Sequence, residues 1–194
     1  MEFETTVRKR RMVRNLAPDE VPDEIVNRVL ELAQHGPSAG YSQGVAYVVI
    51  RDPKTKKEIG GEEAFLPNGF HNFVSYAPVL IVVCVSEELY HKRYTETDKL
   101  QDGEEIEWPT PYWFFDAGAS SMIILLAAVA MDYAAAFVGL EREDIIKVRK
   151  LLDIPEEFHP VGVISLGKPA PDKKSPSLKR GRRKFEQVVH FEHW

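Results

Sequence analysis

From Ala117 to Met131 the chain runs for 15 residues without a charge, rich in Ala and Ser. Trp108-Pro109-Thr110-Pro111 introduces this stretch, which reads as one helix over roughly 113–133, apolar on nearly every face. A helix of that kind must be buried all round. In a single domain it becomes a central helix that also forms part of a subunit interface. Its uncharged length falls short of the roughly 20 residues a bilayer span requires. The segment Met1 to Thr6 has no apolar signal-peptide region. The expectation is a soluble, cytoplasmic protein with no membrane partner.

Around that helix the rest of the chain, 194 residues in all, fits one domain over 1–194. Acidic residues and Pro22 open a helix in which Ile25, Val26, Val29, Leu30 and Ala33 share a face, and Gly36 ends it. Ala46–Ile50 reads as a strand, followed by a short Lys-rich helix and a second helical segment over Phe70–Tyr76. Val79–Val85 is a continuous apolar run, the mark of a central strand buried on both faces. Residues 89–108 form a polar insertion, either mobile or a lid. Ala134–Gly139 reads as a small-residue loop, Glu141–Asp153 as an amphipathic helix and Val161–Leu166 as a buried strand. An arm over 168–194 ends in the alternating pattern Phe185–His190, suited to an edge strand.

Charge is distributed unevenly. Residues 1–14 carry five Arg/Lys against two Glu, and residues 168–184 carry eight against one Asp. Residues 15–167 carry 12 basic and 25 acidic side chains, a balance of −13. Two readings fit: solvated basic tails, or two ends converging on one anion. Nucleic acid is not the expected partner, because Phe185 alone interleaves an aromatic ring with the basic runs.

Local motifs for side-chain chemistry are missing. There is no Gly-x-Gly-x-x-Gly and no phosphate loop, and Gly36-Pro37-Ser38-Ala39-Gly40, which matches Gly-x-Ser-x-Gly in letters, lies between a helical pattern and a strand pattern and not at the strand-to-helix turn of a nucleophile elbow. Of the six His residues only His190 and His193 are spaced as helical neighbours, and they sit near the terminus where solvated side chains are expected, so no metal is expected. Cys84 lies in an apolar run, which suits a buried thiol. A chain with no evident acid, base or nucleophile suits a cofactor that performs the chemistry. One loop-like stretch, Gly36-Pro37-Ser38-Ala39-Gly40-Tyr41-Ser42-Gln43-Gly44, is small enough to lie against a flat ligand, though its composition also serves a plain loop.

Three segments in order, Lys9-Arg10-Arg11-Met12-Val13-Arg14, Gly36 to Gln43, and Arg180-Gly181-Arg182-Arg183, resemble the FMN-dependent nitroreductase family. Ala77-Pro78 before a strand, the Ala-rich helix, and Ile154-Pro155 before a strand ending in Gly167 extend the resemblance over nearly the whole chain. It implies an α+β fold with a mixed central sheet flanked by helices, an intertwined homodimer, and FMN at each of two interface sites. By the same resemblance Arg10, Arg11, Met12, Arg14, Arg180 and Arg182 surround the phosphate end, with Arg14 alternatively at the flavin N1 and O2 edge. Pro37, Ser38, Ala39 and Gln43 lie along the ring, and the backbone of Phe137, Val138 and Gly139 faces flavin N5. Phe185–His190 pairs with the other subunit.

Departures from the family pattern are Met12 in place of Ser, Tyr41 in place of Asn, Gly44-Val45 in place of Pro-Trp, and Asp132 in place of a Gly after the long helix. Trp108, Tyr112 and Trp113 either cover the flavin or are core aromatics. The implied activity is transfer of hydride from NAD(P)H to flavin N5, with no catalytic side chain. Electrons then pass to a nitroaromatic, quinone or other small acceptor. A flavin-fragmenting synthase, a substrate-specific dehydrogenase or dehalogenase, and a non-enzymatic flavin-binding protein remain as alternatives within the same fold.

Overall fold

Strand β2 (Val79–Val85) is buried along its whole length, and its side chains divide by parity. Val79, Ile81, Val83 and Val85 join one core cluster, whereas Leu80, Val82 and Cys84 join a second on the opposite face. Period-two alternation makes this division, and a strand that is apolar on both sides requires helices on both. The computed structural model, which describes Met1–Trp194, supplies them. Helices α2 (Asp23–Ala33) and α5 (Tyr112–Ala130) cover the first face, and α3 (Pro53–Gly60) and α6 (Arg142–Leu151) the second. Two further helices are α1 (Phe3–Lys9) and α4 (Glu87–Tyr94), the latter contributing the buried Tyr90 to the first cluster.

The sheet has four strands in the order β1-β2-β4-β3, with β1 at Val45–Ile50, β3 at Ala134–Gly139 and β4 at His159–Gly167. Every pairing between strands is antiparallel. The one parallel pairing is an isolated bridge from Met12 to Ala135 on the outer edge of β3. The mixed character expected of the sheet is therefore confined to that edge.

Segment 134–139, expected as a loop, is strand β3. Its first three alanines are buried against β4. Small side chains suit a loop, but here they let α5 pack closely on the sheet. Phe70–Tyr76 is not helical. The chain turns there, closing on a bridge between Phe65 and His71, and Asn72 caps the turn by donating to the carbonyls of Gly60 and Glu63, both at 2.9 Å. Phe185–His190 is not a strand either. Residues Phe185–Gln187 form a 3₁₀ turn, with the Lys184 N–H donating to Gln187 Oε1 at 3.1 Å, a local bond that replaces sheet pairing.

Helix α5 is long and apolar enough to cross a membrane by length and composition. It is instead the main helix of the first core cluster. It is not buried all round, because Tyr112, Phe115 and Met122 stand 44%, 63% and 46% exposed in the single chain. Its far end turns through Asp132 at φ 58, in the left-handed region. Asp tolerates that conformation better than most residues, which explains how it occupies a position where relatives were expected to have Gly.

Cys84 sits between β1 and β4, 1% exposed, and burial pushes its thiol up to about 11. Little thiolate forms near neutrality. The native protein is expected to resist iodoacetamide at about pH 8, and the guanidinium-unfolded chain to be alkylated fully. Mass spectrometry of the two samples tests this, and equal labelling would contradict the burial.

Candidate functional site

The two ends of the chain are held side by side by a short antiparallel ladder. Ala17 N–H donates to the Lys168 carbonyl at 2.8 Å, and Ala170 N–H to the Asn15 carbonyl at 3.0 Å. Asn15 Nδ2 reaches the Pro171 carbonyl at 2.7 Å, and Arg14 N–H donates to Asp172 Oδ2 at 2.7 Å. Immediately upstream, Met12 pairs with Ala135, so the N-terminal segment runs from the β3 edge into the C-terminal arm.

This ladder shapes a cleft of about 1010 Å³ lined by Arg10, Arg11, Met12, Arg14 and Arg182, together with Arg8, Val13, Gly181 and the segment from Asp172 to Leu178 apart from Pro176. Gly181 makes the last approach possible. Its φ of 67 turns the chain after the 3₁₀ segment Pro176–Arg180, so that Arg182 enters the lining and Arg180 does not. The structure thus brings together five of the six residues expected at the phosphate end.

None of Arg10, Arg11, Arg14, Lys173, Lys174 or Arg182 forms an ion pair, although Arg8 pairs with Glu4 at 2.8 Å. Arg14 sits over two rings, 4.9 Å from the centroid of Phe70 and 6.0 Å from that of Phe73. Stacking of this kind fixes a guanidinium without consuming its donors. The one carboxylate in the lining is Asp172, whose Oδ1 is buried and has no partner. Seven basic side chains gathered around a single carboxylate suit an anion.

Next to the cleft is the open edge of β3. The Ala135 carbonyl accepts from Val13 N–H, whereas Leu140 N–H turns the other way, to the Val161 carbonyl. Peptide groups alternate along a strand, so those of Phe137 and Gly139 face the same open edge as Ala135. Val138, the third residue expected at flavin N5, bonds inward to β4.

The stretch from Pro37 to Gln43 does not line the cleft. It is pinned to α4 and α5. Ala39 N–H and the Tyr90 hydroxyl both donate to Asp116 Oδ2, at 2.9 and 2.8 Å, and Arg93 Nε donates to the Gly40 carbonyl at 2.9 Å. Ser38 Oγ accepts from Gln43 N–H at 2.6 Å. A Cβ on Gly40 would overlap the Tyr94 ring, and one on Gly44 would overlap Tyr90 and approach the Ser86 carbonyl to 2.9 Å. Gly40 and Gly44 are therefore required by packing within the chain, whatever else the stretch contacts. Tyr41 and Gln43 both have positive φ, 60 and 53, and Tyr41 is 76% exposed. Asn is the usual non-glycine residue in that conformation, so Tyr41 is a strained replacement.

The polar insertion carries bonds of its own besides the one from Arg93 to the Gly40 carbonyl. Arg93 holds Glu96 at 2.7 Å and binds Asp98 through two bonds of 2.7 and 2.6 Å. Glu105 accepts from Trp108 Nε1 at 2.7 Å and contacts His91 Nδ1 at 2.6 Å. Trp113 is in the core, and Trp108 packs against Tyr94 with ring centroids 4.6 Å apart, so both are structural aromatics in the single chain. Burial pulls the His91 pKa down, but the bonds to Glu105 and Glu87 outweigh it and the net shift is upward from 6.5. A raised folded-state pKa stabilises below the unfolded value, and the benefit is lost as pH rises through the folded value. His91→Gln is expected to be less stable than wild type below about pH 6.5, by about 0.5 kcal/mol or less because the pair is exposed, with the gap closing above it. Urea titrations across that range test it, and a gap that widens with pH would contradict it.

The sequence reading missed Asp116 and Tyr90, which organise the Pro37–Gln43 stretch, and Asp172 and Lys173, which line the cleft. A single acid inside an otherwise apolar helix was the available signal for Asp116.

Comparison with known proteins agrees with this architecture. The nitroreductase family profile matches residues 7–67, the segment that holds the N-terminal arginines and the Pro37–Gln43 stretch. A protein of Methanothermobacter thermautotrophicus, provisionally named NADH dehydrogenase/NAD(P)H nitroreductase, is 30% identical over 100% of this chain and 88% of its own length. An NADPH-dependent oxidoreductase of Staphylococcus haemolyticus is 26% identical over 95% of this chain and 70% of its own. The solved structure of an FMN-dependent nitroreductase from Clostridium difficile superposes with a TM-score of 0.71 at 19% identity, covering 97% of this chain and 98% of that one. With a full-length relative at that identity and the same fold around the arginine-lined cleft, the chain belongs to the nitroreductase family.

Proposed function

We propose that the protein is an FMN-dependent NAD(P)H oxidoreductase that passes electrons to a small acceptor such as a nitroaromatic or a quinone. One observation carries this reading: the guanidinium groups of Arg10, Arg11, Arg14 and Arg182, from both ends of the chain, line one cleft and none of the four is in an ion pair. The donor set fits FMN. A phosphate monoester carries nearly two negative charges and is bound best by guanidinium forks. The buried Asp172 Oδ1, an acceptor without a donor, suits a hydroxyl of the ribityl chain.

In this reading Arg10, Arg11, Arg14 and Arg182 neutralise the phosphate, and the Phe70 ring keeps Arg14 in place. The open-edge N–H groups of Phe137 and Gly139 supply donors along the ring. When bound, FMN supplies the hydride-accepting centre, and no side chain in the cleft has to act as acid or base. The Pro37–Gln43 stretch completes the site from the partner in a homodimer. The exposed Phe115 and Met122 on α5, with Phe191 and Trp194 in the C-terminal arm, provide apolar area for that contact.

The test is the absorption spectrum of the purified protein, followed by titration with FMN. Stoichiometric uptake with flavin bands is expected. Colourless protein that takes up no FMN would overturn the proposal.

A further inference from the structure

The cleft carries more positive charge than one phosphate can neutralise. Seven basic side chains and one carboxylate line it. A phosphate monoester contributes only about −1.5 to −2 at neutral pH. The surplus is not spread evenly. Arg10 and Arg14 are partly buried and Arg11 and Arg182 are exposed beside them, whereas the ammonium groups of the exposed Lys173 and Lys174 form the lip, with the hydroxyl-bearing Ser175 and Ser177 lining the cleft next to them.

We propose that this lip binds a second phosphate monoester, the 2′-phosphate of NADPH, and that the enzyme therefore selects NADPH over NADH. The inference rests on the reading of the arginine end as the FMN phosphate site. Partly buried guanidinium forks suit a resident cofactor, because they bind in a fixed, two-pronged geometry. Exposed ammonium groups on flexible stems, with hydroxyl donors nearby, suit a ligand that must arrive and leave in each turnover. The Lys173 ammonium is 5.6 Å from the centroid of Phe70, the same ring that carries Arg14. One aromatic platform therefore joins the lip to the arginine end within a single cleft. NADH offers that lip only a pyrophosphate. NADPH adds a dianionic monoester, which also gains from steering by the net positive field.

The holoprotein is titrated calorimetrically with 2′,5′-ADP, with its isomer 5′-ADP, and with 5′-AMP. The expected result is that 2′,5′-ADP binds at least about tenfold more tightly than either, with a gap that narrows as KCl is added. In Lys173→Ala/Lys174→Ala the three ligands should bind alike, and the NADPH-to-NADH ratio of kcat/KM should fall by about tenfold or more, as loss of charge-assisted bonds requires. Because Lys173 also packs on Phe70, Lys174→Glu alone gives a second test and should invert the preference. Equal binding of 2′,5′-ADP and 5′-ADP by the wild type would overturn the proposal, since the lip would then read charge alone. A lysine variant that loses its flavin spectrum would also overturn it, by assigning those lysines to the FMN phosphate. Wild-type protein that takes up no FMN yet prefers 2′,5′-ADP would remove the proposed activity and leave the lip standing.

Discussion

Asp116→Ala is expected to lower stability by about 2–6 kcal/mol, taking roughly 1–3 kcal/mol for each donor left without an acceptor. The two donors are the Ala39 N–H and the Tyr90 hydroxyl, and Tyr90 is fully buried. Burial, reinforced by the bond to Asp116, pushes the Tyr90 phenol well above its ordinary range, so it stays protonated and remains a donor. For a chain of this length the loss corresponds to a fall in Tm of roughly 5–15 °C. Tyr90→Phe removes one donor without orphaning another and should cost less. A double-mutant cycle between the two positions should show coupling, because both act on one carboxylate. Thermal denaturation of the three variants tests this. An Asp116→Ala protein that melts within about 1 °C of wild type would show that water satisfies the freed donors.

That carboxylate also marks how far a sequence reading can reach. The central strand was legible, because seven consecutive apolar residues allow no exposed face, and Val79–Val85 is the observed span. The convergence of the two basic ends was legible as one of two readings, from charge alone. The role of Gly36 to Gly44 was not. Glycine can admit a ligand or a neighbouring side chain, and a sequence does not say which. Here the neighbours are Tyr90 and Tyr94, 46 and 54 positions beyond Gly44 and Gly40. Ala134–Gly139 failed for a related reason. Alanine has little intrinsic strand preference, and β3 forms because β4 supplies its hydrogen bonds and α5 needs a close surface. Arg180 and Arg182 stand in one motif, yet a single backbone angle at Gly181 separates their destinations.

Arg10→Ala and Arg182→Ala are each expected to weaken FMN binding by about 10- to 150-fold, the equivalent of roughly 1.5–3 kcal/mol for a charge-assisted contact. The two residues come from opposite ends of the chain and reach one cleft only through the ladder between residues 14–17 and 168–172. Riboflavin, which lacks the phosphate, should bind the variants and the wild type with similar affinity. Arg10→Lys should recover only part of the loss, because an ammonium restores charge but not the two-pronged geometry. Arg180→Ala should leave FMN affinity within about twofold, since that side chain is outside the lining and a solvated charge contributes little. Added KCl should weaken FMN binding in the wild type more steeply than in Arg182→Ala, because one screened contact is already gone. Flavin fluorescence titrations at two salt concentrations measure all of these. If riboflavin affinity fell in parallel with FMN, the arginines would be supporting the fold of the arm instead of holding a phosphate. If Arg180→Ala matched Arg182→Ala, the path of the chain through Gly181 would not be the feature that selects between them.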